Sequence, residues 1–258
     1  MKVCHPRESG DPIKTIIAVT LCLFLSSALF AQTLEMGDEL FSQAKYAETI
    51  PVYEKLLKEN PGSYDLLWRI SRSYSQKANE EDRKRKKIED LEKSVDYAKQ
   101  AVSVNGNDFE GHLQLATSLG KMCAFLTKKE LVRLSYTIRD EAQKAIELRS
   151  DNYEAYLVLG VWNRKVAEAS WIEKKLAKAL FGGLPEASLE EAAKNIKKST
   201  ELNPNFAESH YELARVYNAQ DKKDLAIKEL EKALKCSATD KRQKKVKRQA
   251  GEMLARIK

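Results

Sequence analysis

Leu202-Asn203-Pro204-Asn205-Phe206, followed at set steps by Leu213-Ala214, Tyr217, Ala226, Leu230 and Ala233, spells out one helical hairpin. The Asn-Pro pair stops one helix, because proline has no amide proton to donate and restricts the residue before it. Leu213-Ala214 then places a small side chain beside a large one. Ala226, Leu230 and Ala233 recur at i, i+4 and i+7, which is one face of a second helix. Small residues on both faces let the two helices approach closely. Working outward, the N-terminal end carries the same order: Met36-Gly37, Leu40, Tyr46, Tyr53 and Leu56, closed by Asn60-Pro61. Asn105-Gly106 and Ser150 are weaker closers between them.

Nine and ten residues after each closer stand Ile70-Ser71, Leu115-Ala116, Leu159-Gly160 and Leu213-Ala214. Counted back from the closers, Tyr53/Leu56, Ala98/Ala101, Ala142/Ala145 and Ile196/Ser199 mark the second helices. This is the grammar of a tetratricopeptide-type hairpin, whose period is about 34 residues. The fold expected is all-α, a right-handed superhelix of about five hairpins over residues 32–240. Glycine and proline are scarce, 10 and 6, and no alternating apolar runs suggest strands. The middle closers lie 45, 44 and 54 residues apart, so those units carry insertions, around Gln76–Asp90, Gly120–Arg133 and Val166–Ser188.

The N-terminus is a separate object. Thr15 to Ala31 carries no charge, follows Lys14 and ends in small residues, which fits a secretory signal peptide cleaved after Ala31 or Ala28. An uncleaved anchor is the alternative, although a spanning helix needs about 20 apolar residues. Cleavage would leave Cys123 and Cys236 without CxxC spacing, read as two buried thiols. Residues 241–258 hold eight basic residues and one acidic, a net of +7 that equals the charge of the whole chain. The body is therefore close to neutral. Val246, Met253, Leu254 and Ile257 in this tail suit a helix that caps the last repeat.

Of the insertions, Glu80 to Lys87 pairs an acidic with a basic block, as in a solvated extension of a long helix. Trp171-Ile172-Glu173-Lys174-Lys175-Leu176-Ala177-Lys178-Ala179-Leu180-Phe181 is a basic amphipathic segment stopped by Gly182-Gly183-Leu184-Pro185. It is expected to fold back over the solenoid's edge. The sharper alternative is a stripe lying on a membrane, with Trp171, Lys174, Lys175, Lys178 and Phe181 as contacts. This segment, together with Leu66-Leu67-Trp68-Arg69, Gly160-Val161-Trp162 and Leu202-Asn203-Pro204-Asn205-Phe206, resembles the regulator of microtubule dynamics family over roughly residues 64–258. The resemblance implies a helical-repeat domain without catalysis, and association with microtubules or organelle membranes in eukaryotes. The signal-like N-terminus departs from that pattern and suits a bacterial envelope protein.

First-helix residues one turn apart should line the concave face: Trp68 and Arg72, Leu113 and Thr117, Leu157, Val161, Arg164 and Lys165, then Tyr211, Arg215 and Asn218. An apolar floor beside guanidinium groups suits an extended peptide ending in a carboxylate, or a lipid head group. Asp65, Glu110, Glu154 and Glu208 recur at the second position of four units; first-turn carboxylates favour the exposed helix amides, and a metal ladder is the lesser reading. His112 and His210 share one repeat position and read as wedges between helices. No nucleophile–base pair, phosphate loop or HExxH is present, so no catalytic residue, cofactor or metal is expected. The leading expectation is a non-catalytic adaptor or scaffold of the periplasm or cell envelope, holding a protein or peptide partner. Lipid binding or tethering at an anionic membrane, and microtubule binding, are the alternatives. Nucleic acid ranks last, since the basic tail lacks interleaved aromatics for stacking.

Overall fold

A computed structural model describes residues 30–238 and 240–258. The signal-like segment lies outside the described residues except for residues 30 and 31, which are helical. Twelve helices and no strand are found among the described residues. They are α1 (30–42), α2 (Tyr46–Glu59), α3 (Tyr64–Glu80), α4 (Lys84–Val104), α5 (Phe109–Met122), α6 (Lys128–Leu148), α7 (Tyr153–Ala167), α8 (Trp171–Phe181), α9 (Leu189–Leu202), α10 (Ala207–Ala219), α11 (Lys223–Lys235) and α12 (Lys241–Ile257).

Five hairpins follow: α1/α2, α3/α4, α5/α6, α7/α9 and α10/α11, with α8 inserted in the fourth and α12 packed on the fifth. The small residues expected at the crossings are all buried. Ser71, Ala116 and Ala214 are inaccessible on the first helices, as are Ala98, Ala142, Ile196 and Ala226 on the second. Gly160 is the tightest case. A Cβ there would lie 2.4 Å from Ile196 Cγ1, 3.1 Å from the Ile196 amide and 3.2 Å from the Ala192 carbonyl. Between units the crossings are hydrogen-bonded too. Ser94 Oγ of the second hairpin meets Ser118 Oγ of the third at 2.6 Å, and within the second hairpin Ser71 Oγ donates to the Ser94 carbonyl (2.8 Å).

The first and last hairpins turn tightly through a residue with positive φ, Ala44 (59°) and Asp221 (58°). In both, an amide reaches back five residues: Lys45 to the Leu40 carbonyl, and Lys222 to the Tyr217 carbonyl. This closes the orphan carbonyls of the preceding helix in a Schellman-type turn. The middle units replace that turn with their insertions. The first insertion does not extend one helix, as the charge pattern suggests. It lengthens both α3 and α4 and breaks between them, where Glu81 accepts from the Arg83 amide and guanidinium (2.9–3.0 Å). The second adds a short 3-10 turn, then starts α6 with a capping box between Thr127 and Glu130.

The first helices α3, α5, α7 and α10 stand side by side as an inner wall, and α4, α6, α9 and α11 form the outer one. The row also bends back on itself. α12 touches α10 and α11 and also reaches α3, where Lys241 Nζ donates to both Asp82 carboxylate oxygens (2.8 and 2.7 Å) and to the Glu80 carbonyl (3.0 Å).

Candidate functional site: a hollow closed by the last helix

A hollow of about 520 Å³ lies among α5, α6, α7, α10 and α12. Leu131, Val132 and Ile138 of α6 and Leu157, Val158 and Val161 of α7 supply its aliphatic wall. α6 presents these carbons because its buried positions recur every three to four residues, and Trp162 ties the two helices. The indole donates to the Ser135 carbonyl (2.7 Å) and hydroxyl (3.0 Å). Leu184 and Glu173, from the insertion around α8, stand at the mouth.

Four cations line the hollow, Lys121, Lys165, Arg215 and Arg242, together with the carboxylates Glu173, Glu208 and Glu212. Arg242 is an ion pair with Glu208, and Arg215 donates to Glu212 (3.0 Å). Lys121 Nζ donates to the Ser75 hydroxyl (2.7 Å) and carbonyl (3.1 Å). Burial pulls the Lys121 ammonium down to about 7, and the charge of Arg242 pushes the same way. This amine therefore changes charge near neutral pH, within a wall that is otherwise largely carbon. The arrangement holds donors and positive charge for an anionic group and an apolar lining for the chain attached to it. Cys123 also lines it, where burial raises the thiol while the Lys165 charge opposes that rise.

The predicted groove residues divide three ways. Thr117, Leu157, Val161, Lys165 and Arg215 line the hollow. Leu113 and Arg164 are buried: Leu113 packs with Ala145 and Ala155, and the Arg164 guanidinium is held by Glu212 (3.1 Å) and Glu168 (2.6 Å). Trp68, Arg72, Tyr211 and Asn218 lie off it. Trp68 donates to Asp65 (3.3 Å) beneath the Arg69 guanidinium within α3, and Arg72 covers the Phe41 ring at 4.1 Å, which ties the second unit to the first. Tyr211 packs against the cap helix, and Asn218 is exposed.

Asp65, Glu110, Glu154 and Glu208 do sit in the first turns of their helices. Two of them also face inward. Glu208 holds Arg242, and burial raises the Glu110 carboxyl while the Arg72 charge opposes that rise. His112 and His210 are buried at equivalent positions, with partners the sequence did not disclose. The His112 Nδ1 meets Glu141 at 2.5 Å and its Nε2 the Gly106 carbonyl at 3.0 Å. For His210 the partners are Glu229 (2.6 Å) and the Pro204 carbonyl (2.9 Å). Each ring thereby clips the preceding loop to the second helix of its own hairpin. The signal available in sequence was the pairing of each His with a Glu 29 or 19 residues later. Arg242 was missed because its side chain reaches Glu208 only through the packing of α12 on α10, which the charge pattern of the tail does not show.

A family model described as regulator of microtubule dynamics protein 1-3 matches residues 33–258. The Mus musculus protein named regulator of microtubule dynamics protein 1 is 28% identical over 242 residues, covering 89% of this chain and 78% of its own length. The Bos taurus protein of that name is 29% identical over 231 residues, covering 86% of this chain and 70% of its own. Among solved structures, a thermophilic TPR protein of Thermus thermophilus superposes with a TM-score of 0.61 at 16% identity, covering 86% of this chain and 99% of that one. That likeness is one of fold, and it agrees with the tetratricopeptide-type hairpins described above. The helical repeats, the insertion at α8 and a match running from residue 33 to the end together mean that this chain belongs to the regulator of microtubule dynamics family.

Proposed function

We propose that this protein is an adaptor that binds, without catalysis, an extended ligand with an apolar body and a negatively charged end, and that the natural ligand is the carboxyl-terminal segment of a partner protein. The observation that carries this is the hollow itself, whose lining combines aliphatic walls with the side chains of Lys121, Lys165, Arg215 and Arg242. A terminal carboxylate gains charge-assisted hydrogen bonds there, and the last side chains lose apolar surface to water. A second reading, an acyl chain with an anionic head, is favoured by the preponderance of carbon in the wall. The names of the relatives suggest a third activity, on microtubules, which the hollow does not explain.

The test is calorimetry with the full chain. Probes are octapeptides ending in Leu, Val or Phe, as free acids and as amides, with sodium dodecanoate as the lipid-like arm. Free-acid peptides should bind and amides should not. Val161→Trp, which fills the hollow, and Arg215→Glu should both abolish the heat. Dodecanoate binding alone would favour the acyl reading. Peptide binding that survives Val161→Trp would remove the hollow from the account. We also propose an envelope or secreted location, from the Thr15–Ala31 segment; mass spectrometry of the mature N-terminus checks it, and an intact Met1 in a cytosolic fraction would refute it.

A further inference from the structure

Seven large apolar side chains are exposed among the described residues, and four of them (Trp171 at 69%, Ile172 at 46%, Leu180 at 46% and Phe181 at 39%) belong to α8 alone. This helix has 11 residues, packs on α6, and buries only Ala177 completely. Short helices are marginal without packing. α8 is instead held at its ends. A capping box joins Ser170 to Glu173, and Gly182 closes the other end at φ 79°, with the Gly183 amide donating to the Ala177 carbonyl (3.1 Å). Tyr136 Oη anchors the following turn by donating to the Gly183 carbonyl (2.6 Å). The structure thus presents a helix rather than burying one.

Its outer stripe reads Trp171, Lys174, Lys175, Lys178 and Phe181, at i, i+3, i+4, i+7 and i+10. Aromatic residues stand at both ends and three exposed lysines between them. Glu173, the one acidic residue of α8, is spent on the cap, accepting from the Ser170 amide and hydroxyl at 2.7 Å. The face is therefore cationic and apolar at once. A single exposed helix offers no groove to a protein helix or strand. It does suit the boundary of an anionic bilayer, where tryptophan and phenylalanine enter the headgroup layer and lysine stems lie flat with their charges at the phosphates.

We infer that α8 is a peripheral docking element for an anionic lipid surface, with Trp171 and Phe181 inserting and Lys174, Lys175 and Lys178 reading the charge. Each lysine contributes about fivefold to partitioning onto such a leaflet, so the three together contribute on the order of a hundredfold. The inference is independent of what fills the hollow, since none of these five side chains lines it.

The experiment uses the full chain and phosphatidylcholine vesicles holding about 30 mol% phosphatidylserine, with brominated acyl chains as contact quenchers of tryptophan. A second set lacks phosphatidylserine. Because quenching reports Trp171 locally, attachment through the N-terminal segment cannot imitate it. Wild type should be quenched on the anionic vesicles, and Trp171→Phe should remove the quenched share, leaving Trp68 and Trp162 dark to bromine. K174E/K175E/K178E should lose the quenching at unchanged helicity, and so should wild type when salt rises from about 0.05 to 0.3 M. Equal quenching in wild type and Trp171→Phe would overturn the inference, as would equal quenching on neutral vesicles or none on either.

Discussion

Replacing Gly160 with alanine tests the crossing that places α7, and with it one wall of the hollow. Two effects oppose each other. Alanine in a helix interior gains about 1 kcal/mol over glycine through reduced backbone freedom. Against it, the added methyl would sit 2.4 Å from Ile196 Cγ1, with the Ile196 amide at 3.1 Å and the Ala192 carbonyl at 3.2 Å. Carbon atoms rest about 3.5–4.0 Å apart, so α9 must withdraw by more than an ångström. Two of the three neighbours are backbone, and Ile196 is itself inaccessible, so no side-chain rotation relieves the clash. Overpacking costs ~1–3 kcal/mol, and this geometry lies at the upper end. The expected net loss is about 1–2 kcal/mol, which lowers Tm by roughly 2–8 °C for a chain of this size. Circular dichroism melts measure it, and hydrogen exchange should show the loss first in α9. A Gly160→Ala protein as stable as wild type would refute the close approach and the register of the fourth unit.

Three further predictions address other contacts. His210→Ala leaves the Pro204 carbonyl and one Glu229 oxygen without their partner and should cost ~2–4 kcal/mol in urea unfolding; a loss under about 1 kcal/mol would mean the clip is incidental. Lys121 is held at about 7 in the folded chain, below its unfolded value, so between the two the unfolded chain binds the extra proton. Stability should therefore rise with pH from about 7 to 10 through this group, and Lys121→Met should flatten that slope; equal slopes in both proteins would contradict it. Ala44 occupies the left-handed region at φ 59°, so Ala44→Gly should raise the thermal midpoint, by up to about 1 kcal/mol of stability, and a lowered midpoint would contradict the turn geometry.

The hairpins were legible because a helix crossing is a local demand. Ser71, Ala116, Gly160 and Ala214 must be small wherever they sit in space, and one turn of sequence shows it. First-turn carboxylates and the swollen middle units were readable for the same reason. The site was less legible. Thr117 and Val161 face the hollow, but Trp68 and Arg72, at equivalent helix positions, are taken up by Asp65, Arg69 and Phe41. Arg164 is claimed by Glu212, 48 residues further on. Which equivalent positions remain available depends on how each hairpin rotates against the next, and uneven insertions change that rotation from unit to unit.

The bond from Lys241 back to Asp82 spans 159 residues, and Arg242 beside it grips Glu208. A linear stack of hairpins behaves as a spring, free to stretch its pitch and to fray from either tip. Clasped in this way it becomes a shackle, closed by the surface pair of Lys241 and Asp82, while the largely buried Arg242–Glu208 pair keeps the clasping helix seated on α10. Ionic strength, which weakens exposed ion pairs first, therefore acts on the clasp between α12 and the second hairpin before it acts on the pair that seats α12 on α10.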